Sequence, residues 1–271
     1  MALFHSSGTN AHTVPTAKAE RSQIRQLIKK AAHGNLSAFI QATSHYLDLI
    51  SEYLYLVGYT DPVDRSFEIQ KILSDCWRYA PYARRVSDFE RFLQVHLENR
   101  KESSTLDLAN PHNFLGALNH RERFLLVARE FQHWSKKSLK LSLRRKEKEI
   151  STDLMLLKSK LIGFRNSMLK QNQQAKVRQV SELLEGVYCS KQARKVEQEI
   201  AGNYHVLQYK ADWLAYRCEL VELKQKMELT TTEKTALKER LSIHLKQAPT
   251  ESPKFSDNLI NHFSFVRLPS N

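Results

Sequence analysis

Apolar residues recur along most of this chain at intervals of three and four, the period of a helix with one face turned inward. The pattern begins near Ser22, where Ile24, Leu27 and Ile28 share a face, and it breaks at Gly34-Asn35. It then predicts one long buried helix through Leu36, Phe39, Ile40, Tyr46, Leu47, Leu49, Ile50, Tyr53, Leu54 and Leu56. A turn at Gly58 to Pro62 leads into a helix carrying Phe67, Ile69, Ile72, Leu73, Cys76 and Trp77. That helix must stop before Pro81, because the residue ahead of a proline avoids the helical region. A fourth helix runs from about Asp88 to Arg100 with Phe89, Phe92, Leu93 and Leu97 inward. Lys101 to Asn113 is polar, contains Pro111 and reads as a linker.

Beyond the linker, two apolar-periodic segments between Leu118 and Leu161 frame a dense basic block. It holds Lys136, Lys137, Lys140, Arg144, Arg145, Lys146 and Lys148 against Glu147. Ser138, Leu139, Leu143 and Ile150 are placed to pack the two helices together, which gives a helix, a turn and a second helix. Many proteins deliver a recognition helix to a DNA groove in this way. Asn166 to Ala175 reads as a hinge or exposed helix, and periodicity resumes at Val177, Val180, Leu183 and Leu184. Leu207, Ala211, Leu214, Cys218 and Val221 then recur at four-three spacing, the seam of a helix lying along a partner helix. The expected partner is the Val177 to Leu184 helix or the Leu237 to Leu245 helix. Thr230 and Glu233 form a capping box that starts the latter.

These readings divide the chain into a disordered amino terminus (1–20), a helical domain (21–100), a linker (101–113), a helix-turn-helix domain (114–165), a helical region (166–247) and a tail (248–271). The tail has Pro249, Pro253 and Pro269 around an apolar patch from Leu259 to Val266, so it is either free or a docking segment.

Composition fixes the class. With 7 Gly and 7 Pro in 271 residues, an all-α fold is expected. The formal net charge of +13 and a pI near 9.6 favour a polyanionic partner such as nucleic acid. No apolar run approaches the roughly 20 residues that span a bilayer, and the amino terminus lacks the hydrophobic core of a secretion signal, so no membrane partner and a cytoplasmic location are expected. Cys76, Cys189 and Cys218 have no paired spacing and read as buried free thiols. No metal-ligand spacing, phosphate loop or nucleophile elbow stands out, so neither enzyme chemistry nor a cofactor is expected.

Candidate contacts with nucleic acid follow from charge and aromatic pattern. Arg78, Arg84, Arg85 and Arg91 interleave with Tyr79, Tyr82, Phe89 and Phe92. Cations hold a phosphate backbone, and aromatic faces stack unpaired bases at roughly 1–3 kcal/mol each. Phe89 and Phe92 share the apolar helix face and are assigned to the core, which leaves Tyr82 and the arginines. In the basic block, Arg144, Arg145, Lys146 and Lys148 are the phosphate contacts. Ser151 and Thr152 lie with them near the start of the second helix, where side chains reach base edges or phosphates.

In block order, residues 27 to 161 resemble the bacterial RNA polymerase sigma factors, in particular the compact extracytoplasmic-function group. LIKKAAHGNLSAFIQATSHY is similar to the family's entry motif through Gly34, Ala38, Phe39 and Tyr46. DRSFEIQKILSDCW resembles its core-polymerase-binding helix, FERFLQVHLENR the close of its first domain, and LNHRERFLLVARE the start of its second. The chain departs from the family where the acidic run is reduced to Asp64, where Lys71 follows Gln70, where Arg144-Arg145 replaces a small residue in the turn, and where Asp153 stands in the recognition helix.

The resemblance implies two small helical domains, one like sigma domain 2 and one like the helix-turn-helix sigma domain 4, followed by a C-terminal helical extension. It implies core RNA polymerase and promoter DNA as partners, with Asp64, Glu68, Gln70 and Trp77 as polymerase contacts. The alternative is a degenerate sigma-like body that acts as an interaction or regulatory module without polymerase binding, a regulatory protein then docking on the C-terminal helices. A third reading is a basic helical protein that coats nucleic acid without sequence preference.

Overall fold

The computed structural model describes residues 17–101, 113–165, 169–186 and 188–247. The expectations for 1–16, for most of the linker and for the tail fall outside the described residues. Everything described is helix or short connection, and no strand occurs among the described residues, so the fold is all-α. The helices are α1 (Ala17–Ala32), α2 (Leu36–Ser44), α3 (Leu47–Leu56), α4 (Pro62–Tyr79), α5 (Val86–Glu98), α6 (Asn113–Gly116), α7 (His120–Leu126), α8 (Lys136–Leu143), α9 (Glu147–Leu161), α10 (Gln171–Leu184), α11 (Ser190–Ile200), α12 (Tyr204–Met227) and α13 (Thr231–Gln247). A 3-10 turn (Ala80–Tyr82) precedes α5, and a π-helical turn (Val127–Phe131) prolongs α7.

The ends of these helices have local chemical causes. Gly34 turns the chain after α1 at φ +82°, and the Asn35 side chain then accepts the Ala38 N–H at 2.9 Å. Asp61 caps α4 by accepting from the Val63 and Asp64 amides, with Pro62 in the first turn. Asn119 with Glu122, and Thr230 with Glu233, make reciprocal capping boxes for α7 and α13.

The long helix expected from Leu36 to Leu56 is two helices. Thr43 and Ser44 donate their hydroxyls back to the carbonyls of Phe39 and Gln41, which competes with the helix ladder and bends the chain at His45–Tyr46. The bend sets α3 in the centre of the molecule, where Leu47, Leu49, Ile50, Tyr53, Leu54 and Leu56 are all buried.

Residues 21–100 and 114–165, expected as two small domains, share one hydrophobic cluster. α5 packs on α8, and Glu90 of α5 accepts the Ser142 hydroxyl of α8 at 2.6 Å and the Arg21 guanidinium of α1 at 3.1 Å. Tyr53 of α3 meets His120 of α7 at 2.8 Å. The C-terminal helices join the same cluster through Trp213, Tyr216, Leu220, Leu223, Met227, Leu237, Leu241 and Leu245. α12 lies against α3 and α10, and α13 against α2 and α4. A smaller cluster of Val177, Val180, Val196, Ile200, Val206, Tyr209 and Met155 closes one end.

Three expectations are corrected here. α12 does pack on α10, but not by the seam read from the sequence: Val206, Tyr209, Trp213, Tyr216, Leu220, Leu223 and Met227 are buried, while Leu207, Ala211, Leu214, Cys218 and Val221 are exposed. Both stripes have four-three spacing, and the one with Trp213 and three other large rings or thioethers removes more apolar area from water. Among the cysteines only Cys76 is buried, whereas Cys189 and Cys218 are exposed. Phe67 is 59% exposed on α4 instead of facing inward, with the Lys71 amine over its ring. No described helix is long and apolar enough to cross a membrane.

Candidate nucleic-acid interface

The basic block folds as the sequence pattern requires, with α8 and α9 joined by a short turn packed on Leu139, Leu143 and Ile150. Arg144 stands at the C-cap of α8 at φ +51°, the left-handed region that usually takes glycine. That conformation turns the chain, and Arg144 is left exposed beside Lys140, Lys146 and Lys148.

Lys137 is also exposed, whereas Lys136 and Arg145 are used internally. Lys136 is buried, donating to Ser151 at 2.8 Å and lying 3.3 Å from Glu185, which caps the end of α10. Ser151 is therefore enclosed beneath α10 and cannot reach a base, which corrects its assignment as a DNA contact. Arg145 is held by Glu149 at 2.8 Å and Asp153 at 3.1 Å, so its charge is largely spent within the helix. Asp153 also meets Arg121 at 3.4 Å and so fastens α7 to α9. Thr152 is half-exposed and donates its hydroxyl to the Lys148 carbonyl.

The candidates from the first half of the chain lie on and before α5, the helix that packs on α8. Arg84 and Arg85 are exposed at the start of α5, where the Arg85 N–H donates to Asp88 at 3.0 Å. Phe89 and Phe92 are buried, as the apolar pattern requires, and Phe92 stacks on Tyr79 with centroids 3.8 Å apart. Tyr82 is half-buried next to Tyr79. Arg91 is half-buried where α5 meets α8, and its guanidinium holds its proton less tightly than usual, first through burial and then through the charge of Arg144. Burial pushes the Tyr79 hydroxyl up to about 12, with Arg144 and Arg91 pulling the other way. Two arginines from separate halves of the chain thus repel each other across one contact, an arrangement that a bound anion relieves.

The resemblance-derived polymerase residues lie along α4. Asp64 is exposed, but Glu68 is enclosed by Lys71 at 2.7 Å and Arg100 at 3.0 Å. Trp77 is half-buried against Phe39, ring centroids 5.0 Å apart. Gln70 lines a shallow groove of about 350 Å³ with Phe67, Lys71, Asp75, Arg78, Arg100 and His244 of α13. Asp75 lies 3.6 Å from both Arg78 and Arg100, so the acidity of this helix is mostly balanced and Arg78 is partly engaged.

Sequence reasoning missed the acids that fix this geometry. Glu90 and Glu185 join helices far apart in the chain, and nothing local marks them, since each is one glutamate in a mixed helical segment. Comparison with protein-family models, with curated proteins and with solved structures finds no match to the chain.

Proposed function

We propose that this chain is a DNA-binding protein of the sigma-factor type. It grips the DNA backbone with Arg84, Arg85, Arg91, Lys140, Arg144, Lys146 and Lys148 and engages core RNA polymerase through the exposed side of α4. The observation that carries the reading is the packing of α5 on α8, which brings the half-buried Arg91 near enough to feel the charge of Arg144, while Arg144, Lys140, Lys146 and Lys148 are exposed. Glu147 and Glu149 occupy the first turn of α9, where its dipole would otherwise attract a phosphate, so the flanking cations make the backbone contacts. No cofactor enters this reading, since the polymerase performs the chemistry.

A second reading is a sigma-like interaction module without polymerase binding. It is favoured by α13, which lies along α4 and places His244 in the groove that holds Gln70. Size-exclusion chromatography of the full chain with core polymerase separates the two. Co-elution at micromolar concentrations, lost on Asp64→Arg with Gln70→Ala, is expected from the first reading, and separate elution from the second.

A further inference from the structure

α12 carries two apolar stripes. At about 100° per residue, the buried stripe from Val206 to Met227 and the exposed one of Leu207, Ala211, Leu214, Cys218 and Val221 lie roughly 150° apart. Leu207, Leu214 and Val221 are 40%, 44% and 57% exposed, and Tyr204 extends the stripe by a turn. A helix apolar on opposite faces needs a neighbour on each. The chain supplies one, and the exposed face has none among the described residues.

The shoulders of this stripe say what fits it. Lys210, Arg217 and Lys224 run along one side, and Gln208, Ala215 and Glu222 along the other. Lys210 and Lys224 have acidic partners within the chain, Glu197 and Glu228, but Arg217 and Glu222 make no ion pair among the described residues. Two such helices side by side and parallel bring Arg217 of one opposite Glu222 of the other, five residues on, and the reverse pair forms by symmetry. An antiparallel pairing instead sets the basic shoulder against itself.

We propose that the chain pairs with a second copy of itself through this stripe, the two α12 helices parallel, with Leu207, Leu214 and Val221 in contact across the axis and Arg217–Glu222 pairs on either side. α12 is already held helical by its buried face, so association orders little additional chain. One helix face is a small interface, and a dissociation constant on the order of 10 μM is expected.

Analytical ultracentrifugation of the full chain from about 1 to 200 μM, a range that brackets such an affinity, tests the pairing. Dimer should form across this range in the wild type and be lost in Leu214→Glu, whose position is exposed enough to leave circular dichroism and thermal melting unchanged. Cys218 falls on the axis of a parallel pair, within the short Cα separation that a disulfide requires. Diamide should therefore link two copies in a Cys189→Ser background and fail to link them in Cys189→Ser/Cys218→Ser. A wild type that stays monomeric, or a dimer indifferent to Leu214→Glu, would overturn the pairing. So would a monomer whose Cys218 resists alkylation until residues 248–271 are removed, since the tail would then be the occupant. A dimer broken by Leu214→Glu but not linked through Cys218 would overturn the parallel arrangement.

Discussion

Glu185, which follows α10, lies 2.6 Å from the amine of Lys158 on α9, and both side chains are almost wholly enclosed. Lys136 approaches the same carboxylate at 3.3 Å and Arg129 at 3.8 Å, while Lys158 sits over the Trp213 ring. One glutamate thus ties α8, α9 and the π-helical turn to α10, and draws Lys136 of the basic block into the interior.

Removing one partner of a buried pair leaves the other charge without compensation. Glu185→Ala is expected to cost about 3–5 kcal/mol in urea unfolding. Glu185→Ala combined with Lys158→Met should recover much of that loss. If the single variant unfolds at wild-type urea concentration, the cluster does not hold α10 in place.

Stability should fall as pH rises toward 8. Glu52 on α3 is buried, accepts from Gln132 at 2.7 Å, and burial raises its carboxyl from 4.5 to about 8. Folded protein therefore keeps a proton that the unfolded chain releases near pH 4.5. Between those values unfolding releases a proton, and stability declines by up to about 1.4 kcal/mol per pH unit. Glu90, also raised by burial, adds to the same direction. Glu52→Gln should flatten thermal melting between pH 5 and pH 8, and a wild-type profile already flat there would exclude a neutral Glu52.

Arg144 combines a strained backbone with an exposed charge, so one substitution should divide two properties. Arg144→Gly relieves the left-handed conformation and is expected to stabilise the fold by about 0.5–1 kcal/mol after the entropy cost of glycine. The same variant should bind DNA less tightly. Loss of both stability and binding would mean that Arg144 has a packing role absent from this structure.

Much of the fold was legible in the sequence because helix periodicity, Gly34, the turn at Gly58 to Pro62 and the Thr230–Glu233 box are local signals. The bend at His45–Tyr46 was not, since it comes from Thr43 and Ser44 hydroxyls that serve equally well in straight helices. α12 misled because two stripes share one period, and only tertiary packing selects the one with Trp213. The candidate interface was legible as charge, in Arg84, Arg85, Arg144, Lys146 and Lys148. Which cations are spent inside was not, because Glu185 and Asp153 reach Lys136 and Arg145 through the folded arrangement.

The proposal that α5 and the α8–α9 turn form a single DNA surface is tested most directly by the salt dependence of duplex DNA binding, followed by fluorescence anisotropy. Each lost phosphate contact reduces the log–log slope by about 0.9. Arg84→Ala with Arg91→Ala should flatten the slope by up to about two contacts, and Arg144→Ala with Lys146→Ala and Lys148→Ala by up to about three. Arg145→Ala, whose guanidinium is held by Glu149 and Asp153, should leave it unchanged. Flattening by variants in both halves, with Arg145→Ala silent, is the predicted result. A slope altered by only one half, or by Arg145→Ala as strongly as by its neighbours, would contradict a shared surface.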